Sequence, residues 1–271
     1  MHMEEWMKKL ILIISLLLVF AGITIAQTGV KKRRPLPYEY GNVVINNYSE
    51  KAGLAPVEFN HWLHRGIYTC RLCHMDIGFA MKANGSAIKA TDNAKGYYCG
   101  TCHNGKMLYD KKPIFATCAL KYTQEEGKRC ERCHSLGKNV KRDYDFNVFT
   151  EKFPKERFGN GVNWELVEEK GFVKLIDYIE GISIKRVAMK VQQDFTLASK
   201  VEGMPAIVFS HKKHTVWNGC EVCHPDIFVG VKRGATKYSM VEIFDGKFCG
   251  VCHTKVAFPM TDCQRCHTEP V

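Results

Sequence analysis

Six Cys-x-x-Cys-His pentads run through this chain and account for twelve of its thirteen cysteines. They are Cys70/Cys73/His74, Cys99/Cys102/His103, Cys130/Cys133/His134, Cys220/Cys223/His224, Cys249/Cys252/His253 and Cys263/Cys266/His267, numbered here as motifs 1 to 6. Any fold open to the chain must bring two thiols and an imidazole together at each of these places. Two thiols can form thioethers with the vinyl groups of a porphyrin, and the adjacent imidazole can ligate its iron, so each pentad has what one haem c needs. The alternative, zinc knuckles or disulfides, leaves the histidines unexplained. Only eleven of 271 residues are histidine, yet one follows every Cys-x-x-Cys, and a zinc knuckle has no need of it there.

The N-terminus points to the same compartment as haem attachment, which in bacteria takes place outside the cytoplasm. Lys8 and Lys9 precede an apolar run from Leu10 to Ile25, and Ala26 comes just before polar Gln27, the layout of a secretory leader. Cleavage after Ala26 is expected. A run this short falls below the roughly twenty residues of a spanning helix, although an uncleaved leader would serve as an anchor. The expected location is periplasmic, secreted or at the outer surface.

About 245 residues remain for six haems, roughly 41 each, too few to build a sufficient core without a cofactor. The expected fold is therefore haem-dominated, with short α-helices, long loops and little β-structure. The formal charge of +11 and the Lys31-Lys32-Arg33-Arg34 run suggest nucleic acid or a membrane surface. Two propionates per haem would add roughly twelve negative charges, partly offset at the irons, so the cofactor's own charge removes that argument. No nucleic-acid partner is expected, and Lys31 to Arg34 reads as a solvated linker.

A second signal is self-similarity at an offset of 150 residues. Phe59-Asn-His61-Trp-Leu-His64 matches Phe209-Ser-His211-Lys-Lys-His214, and Cys70, His74, Gly96, Cys99 and Gly100 align without a gap with Cys220, His224, Gly246, Cys249 and Gly250. The third motif breaks register through a seventeen-residue insertion in the first repeat, roughly 108–126, which contains Cys118. The organisation read from this is a leader at 1–26, an extended segment at 27–56, a three-haem domain at 57–144, a connector at 145–204 and a second three-haem domain at 205–271. The connector holds no Cys or His, and it reads as a segment packing on haem edges, with turns at Phe158-Gly-Asn-Gly161 and a short helix from Trp164 to Lys170.

Six of the eleven histidines are proximal by position, and His2 lies ahead of the leader's apolar run. His61, His64, His211 and His214 remain as distal ligands. Four cannot serve six haems. In Phe-x-His-x-x-His the two imidazoles stand about one helical turn apart and can address different haems.

These elements together resemble the c7-type triheme cytochromes, relatives of the tetrahaem c3 cytochromes, over about 57–134 and 205–267. The resemblance implies two tandem c7-like domains, and it pairs His61 with His74, His64 with His103, His211 with His224 and His214 with His253. Family members with three bis-His haems carry a further His before the second motif, which is absent here. Some relatives use methionine, which implies Met240 as ligand for the His267 haem. The first repeat has Ala90 at that position; Met81, Met107, the insertion or an open site remain for His134. Cys118 reads as a free thiol or a soft ligand.

The expected role is a single-electron relay between redox proteins or extracellular acceptors rather than an enzyme. The alternatives are a reductase acting on a small oxyanion at a haem with an open axial position, and a subunit of a haem-stacked filament.

Overall fold

The computed structural model describes residues 3–7, 10–15, 34–118, 130–135, 145–199, 201–229 and 234–269. The expected cleavage point at Ala26, most of the Lys31 to Arg34 tract and the far end of the insertion lie outside them. The chain forms two compact units, Met1–Pro35 and Leu36–Val271. In the first, residues 3–7 and 10–15 are helical and exposed. Among the described residues no helix is long and apolar enough to cross a membrane.

The second unit has few and short regular elements. Strand β1 (Val43–Ile45) pairs antiparallel with β2 (Val57–Phe59), and helix α1 (His61–Arg65) follows directly. Helices α2 (Ala90–Ala94) and α3 (Cys99–Cys102) come next, then the hairpin β3 (Leu108–Tyr109) and β4 (Lys112–Pro113). The second repeat restates this plan. Strand β5 (Phe195–Leu197) pairs with β6 (Ala206–Phe209), helix α6 (His211–Asn218) follows, and α7 (Met240–Phe244) packs on α8 (Gly250–His253). One addition closes the chain: β7 (His267–Glu269) joins the other edge of β6, with His267 opposite Ile207.

The connector contributes α4 (Phe146–Phe149) and α5 (Trp164–Glu169), each with a side-chain N-cap. The Asp145 carboxylate accepts from the Asn147 N–H at 2.8 Å, and the Asn163 side-chain oxygen accepts from the Leu166 N–H at 3.1 Å, satisfying donors that the first turn leaves open. The helix expected from Trp164 is present and ends one residue early. The connector also builds a side-chain core of its own. Phe146, Phe153, Val162, Trp164 and Val167 form the main side-chain core with Trp62 from the first repeat and Trp217 from the second. A segment with no porphyrin to attach is free to spend its apolar side chains on one another.

Arg65 pins the two repeats together at this core. Its guanidinium carbon stands 4.5 and 4.8 Å from the ring centres of Trp164 and Trp217, two cation–π contacts to rings set edge to face. Its Nη1 donates to the Val256 carbonyl at 2.9 Å, and beside it the Tyr40 hydroxyl donates to the Ala257 carbonyl at 2.6 Å.

Candidate haem sites

Four of the motifs close one helical turn on themselves. The N–H groups of His103, His134, His224 and His253 bond to the carbonyls of Cys99, Cys130, Cys220 and Cys249 at 2.8 to 3.1 Å. Positions i, i+3 and i+4 then share a face, so both thiols and the imidazole point the same way. Motif 1 continues into a π-helical turn, Leu72–Asp76. Motif 6 is a 3₁₀ turn, Cys263–Arg265, that passes His267 into β7.

The glycine after the first cysteine of motifs 2 and 5 is obligatory. A Cβ on Gly100 would lie 1.8 Å from the Asn93 carbonyl oxygen, and one on Gly250 would lie 1.9 Å from that of Ile243. The residues before these motifs, Tyr98 and Phe248, adopt φ of 47° and 51°, left-handed values that bulky side chains rarely take. Both features recur 150 residues apart.

The histidines share one hydrogen-bonding rule. Nδ1 of His61, His64, His74, His134, His211, His214, His224, His253 and His267 stands 2.7 to 3.1 Å from a backbone carbonyl. A carbonyl only accepts, so the proton must sit on Nδ1 and the lone pair on Nε2. That tautomer and anchored ring are what a metal-ligating histidine needs. His103 is the tenth; its buried Nδ1 is set toward the Phe115 backbone but falls short of hydrogen-bond geometry. The acceptors recur as well: Asn60 and Ser210 serve His64 and His214, while Ala55 and Pro205 serve His134 and His267.

Two expected pairs meet directly. The rings of His64 and His103 have centres 6.3 Å apart, and those of His214 and His253 are 6.2 Å apart. Two imidazoles bound to one metal at about 2.0 Å each place their ring centres roughly 6 Å apart, a separation that each pair matches. His61 and His74 are close enough for the charge of one to lower the pKa of the other. Among the described residues no ring contact joins His61 to His74 or His211 to His224. Burial pushes His61, His103 and His253 down to about 4 and also lowers His64, His74 and His214. All six are neutral near pH 7 and free to ligate.

Cysteines of different motifs come near one another in the folded chain. Burial raises Cys73, Cys99 and Cys252 to about 12 and Cys133 and Cys266 to about 11. Neighbouring thiols add to these shifts, and the neighbours run from Cys133 to Cys99, Cys99 to Cys73, Cys70 to Cys223 and Cys252, and Cys249 to Cys266. All six motifs are linked. Motifs 1, 2, 4 and 5 each bury one intervening residue (Leu72, Gly100, Val222 and Gly250), whereas Glu131 and Arg132 of motif 3 and Gln264 of motif 6 are exposed. The two motifs that lack a distal histidine in sequence are thus the two at the surface.

The residues considered for those two sites sit apart in character. Met240 is the half-buried first residue of α7, held by a capping box in which Ser239 and Glu242 bond reciprocally at 3.3 and 3.0 Å. Met81 is exposed, and Met107 is half-buried next to the β3–β4 hairpin. Cys118 lies close enough to Cys99 and Cys133 to raise their pKa.

A family model described as cytochrome c7 and related cytochrome c matches residues 57–135 and 207–268, together just over half of the chain. The chain belongs to the cytochrome c7 family. This is a family of multihaem c-type cytochromes, proteins of electron transfer, and the chain holds two c7-like domains. Among solved structures, a c7-type three-haem cytochrome domain is 35% identical, covering 28% of this chain and 93% of its own, with a TM-score of 0.26. The C-terminal hexahaem fragment of a dodecahaem cytochrome c is 24% identical over 88% of this chain and 99% of its own, with a TM-score of 0.26. The dodecahaem protein itself is 22% identical over 85% of this chain and 75% of its own, with a TM-score of 0.27. A comparison with curated proteins finds no match.

Sequence reasoning missed the carbonyl acceptors, because a backbone oxygen leaves no side-chain signature. The gap-free offset of 150 was the available signal for Asn60/Ser210 and Ala55/Pro205.

Proposed function

We propose that the chain carries six haem c groups and relays single electrons outside the cytoplasm. The Nδ1 rule carries this reading: nine of the ten described histidines direct the proton into the backbone and keep Nε2 for a metal. Each haem would be held by the paired thiols of its motif, with His74, His103, His134, His224, His253 and His267 as proximal ligands. His61, His64, His211 and His214 are the distal ligands of motifs 1, 2, 4 and 5, and Met240 is that of motif 6. A bound haem supplies an iron that cycles between ferric and ferrous. The protein's part is to fix both imidazoles, exclude water and set the polarity around each site.

The path of neighbouring thiols supports a relay, and the exposure of motifs 3 and 6 supports exchange with redox partners at those two places. A methionine ligand raises the potential relative to bis-His, so electrons at equilibrium collect at motif 6 in preference to the bis-His haems. The secretory layout of the N-terminus supports a periplasmic or outer-surface location. Intact-mass measurement of protein made in a host competent for haem c maturation tests the count. Six haem increments are expected, with the mass of a chain beginning at Gln27; fewer increments contradict the reading.

A further inference from the structure

Arg71 and Glu221 occupy the same position in the two repeats, the residue after the first cysteine of motifs 1 and 4, and they carry opposite charges. In the folded chain they face one another, with Nη1 and Oε2 3.7 Å apart. Two connector residues tie in this pair. Asp177 accepts from Arg71 and from the Thr69 hydroxyl, the latter at 2.6 Å. The backbone beside it is fastened to the first repeat, with the Thr69 N–H on the Ile176 carbonyl at 3.2 Å and the Ile176 N–H on the Ile67 carbonyl at 2.8 Å. Arg186 then bridges the repeats, donating Nε to Glu221 at 2.7 Å and Nη2 to Asp76, whose side chain is wholly buried.

The repeats approach closely at Gly219, where the backbone conformation itself favours glycine. A Cβ on Gly219 would stand 2.7 Å from Cδ and Nη1 of Arg71 and 2.8 Å from the Glu221 carboxylate, and Gly219 has φ +60°. The first repeat has Thr69 at this position. The Cys70 thiol is also near enough to Cys223 to raise its pKa.

We infer that Arg71, Asp177, Arg186 and Glu221 are positioning residues that clamp motif 1 against motif 4, making the haems on those motifs the crossing point for electrons between the repeats. This rests on the six-haem reading. Each crossing moves one electron, oxidising one iron and reducing the other, with no bond made or broken. Lone surface ion pairs contribute little, but here one carboxylate is buried and two arginines each bridge two acids, so the groups fix one another's geometry. Motif 5 also approaches motif 1, through Arg65 and Val256, and is the competing crossing.

The test is a redox titration of the full holoprotein followed by NMR, with each haem's methyl signals tracked separately. In the native chain, oxidation of the motif 1 haem should alter the electron affinity of the motif 4 haem more than that of any other haem in the second repeat. In Arg186→Gln, which lies outside every motif, that interaction should fall at least threefold while interactions within each repeat stay unchanged. Glu221→Gln should do the same, and the loss in the double variant should fall short of the sum of the two singles, since they share the Arg186–Glu221 bond. Unchanged interactions in both singles, an equal fall across all haem pairs, or a dominant crossing at motif 5 would overturn the inference. The intact mass of each protein separates this from the broader reading: fewer than six haems in the native chain contradicts the haem count rather than the clamp.

Discussion

The chemistry of each haem site comes down to which nitrogen of an imidazole carries its proton. Backbone carbonyls decide this nine times, so no side-chain substitution can undo it without removing the histidine. His64→Ala and His214→Ala each take the outer partner from a pair of rings about 6 Å apart. Each should convert one low-spin haem to high spin, read by electron paramagnetic resonance, and leave the haem count unchanged because the thioethers stay. Gly100→Ala and Gly250→Ala act differently, since their Cβ would collide with a carbonyl oxygen that cannot move aside. Each should destabilise the fold by about 3 kcal/mol, at the upper end of overpacking costs, measured by denaturant unfolding of the holoprotein. The Cys-x-x-Cys-His motifs were legible in the sequence because covalent attachment dictates their spacing, and the four further histidines stood out because the Phe-x-His-x-x-His element recurs 150 residues on. The carbonyls that orient them were not, and neither was the need for Gly100, because both depend on how a helix is approached by another backbone.

The helices here are too short to persist by their own propensity, so caps and motif attachment hold them. Helix α7 shows what this implies for ligation. Its first residue is Met240, placed by the reciprocal bonds of Ser239 and Glu242. Ser239→Ala should cost about 1 kcal/mol and weaken the methionine signature of one haem in the near-infrared, whereas Met240→His should replace that signature by a bis-His one and lower that haem's potential. Loss of neither signal in both variants would remove Met240 from the ligand set. The short-helix, long-loop character was legible from the crowding of motifs. The third strand of the β5–β6–β7 sheet was not, because His267 reads as the end of a motif and only the register with Ile207 shows it as part of a strand.

Taken whole, residues 36–271 are two similar halves joined through a core that the connector supplies. The offset of 150 made the duplication legible; the connector's role was hidden because its aromatic residues are spaced irregularly and find partners only across the repeats. Trp217→Ala removes a ring that meets both Trp164 and the Arg65 guanidinium. It should cost about 3–5 kcal/mol, lowering the melting temperature by roughly 6 to 20 °C. On the proposed reading, function at this level rests on six sites that are not alike: four would pair two imidazoles, two of them already face to face, and two would have no second histidine. Low-temperature magnetic circular dichroism of the holoprotein tests that division most directly, because it counts ligand sets. Four bis-His haems and two of another kind are predicted; three or fewer bis-His haems, or five, would contradict the account.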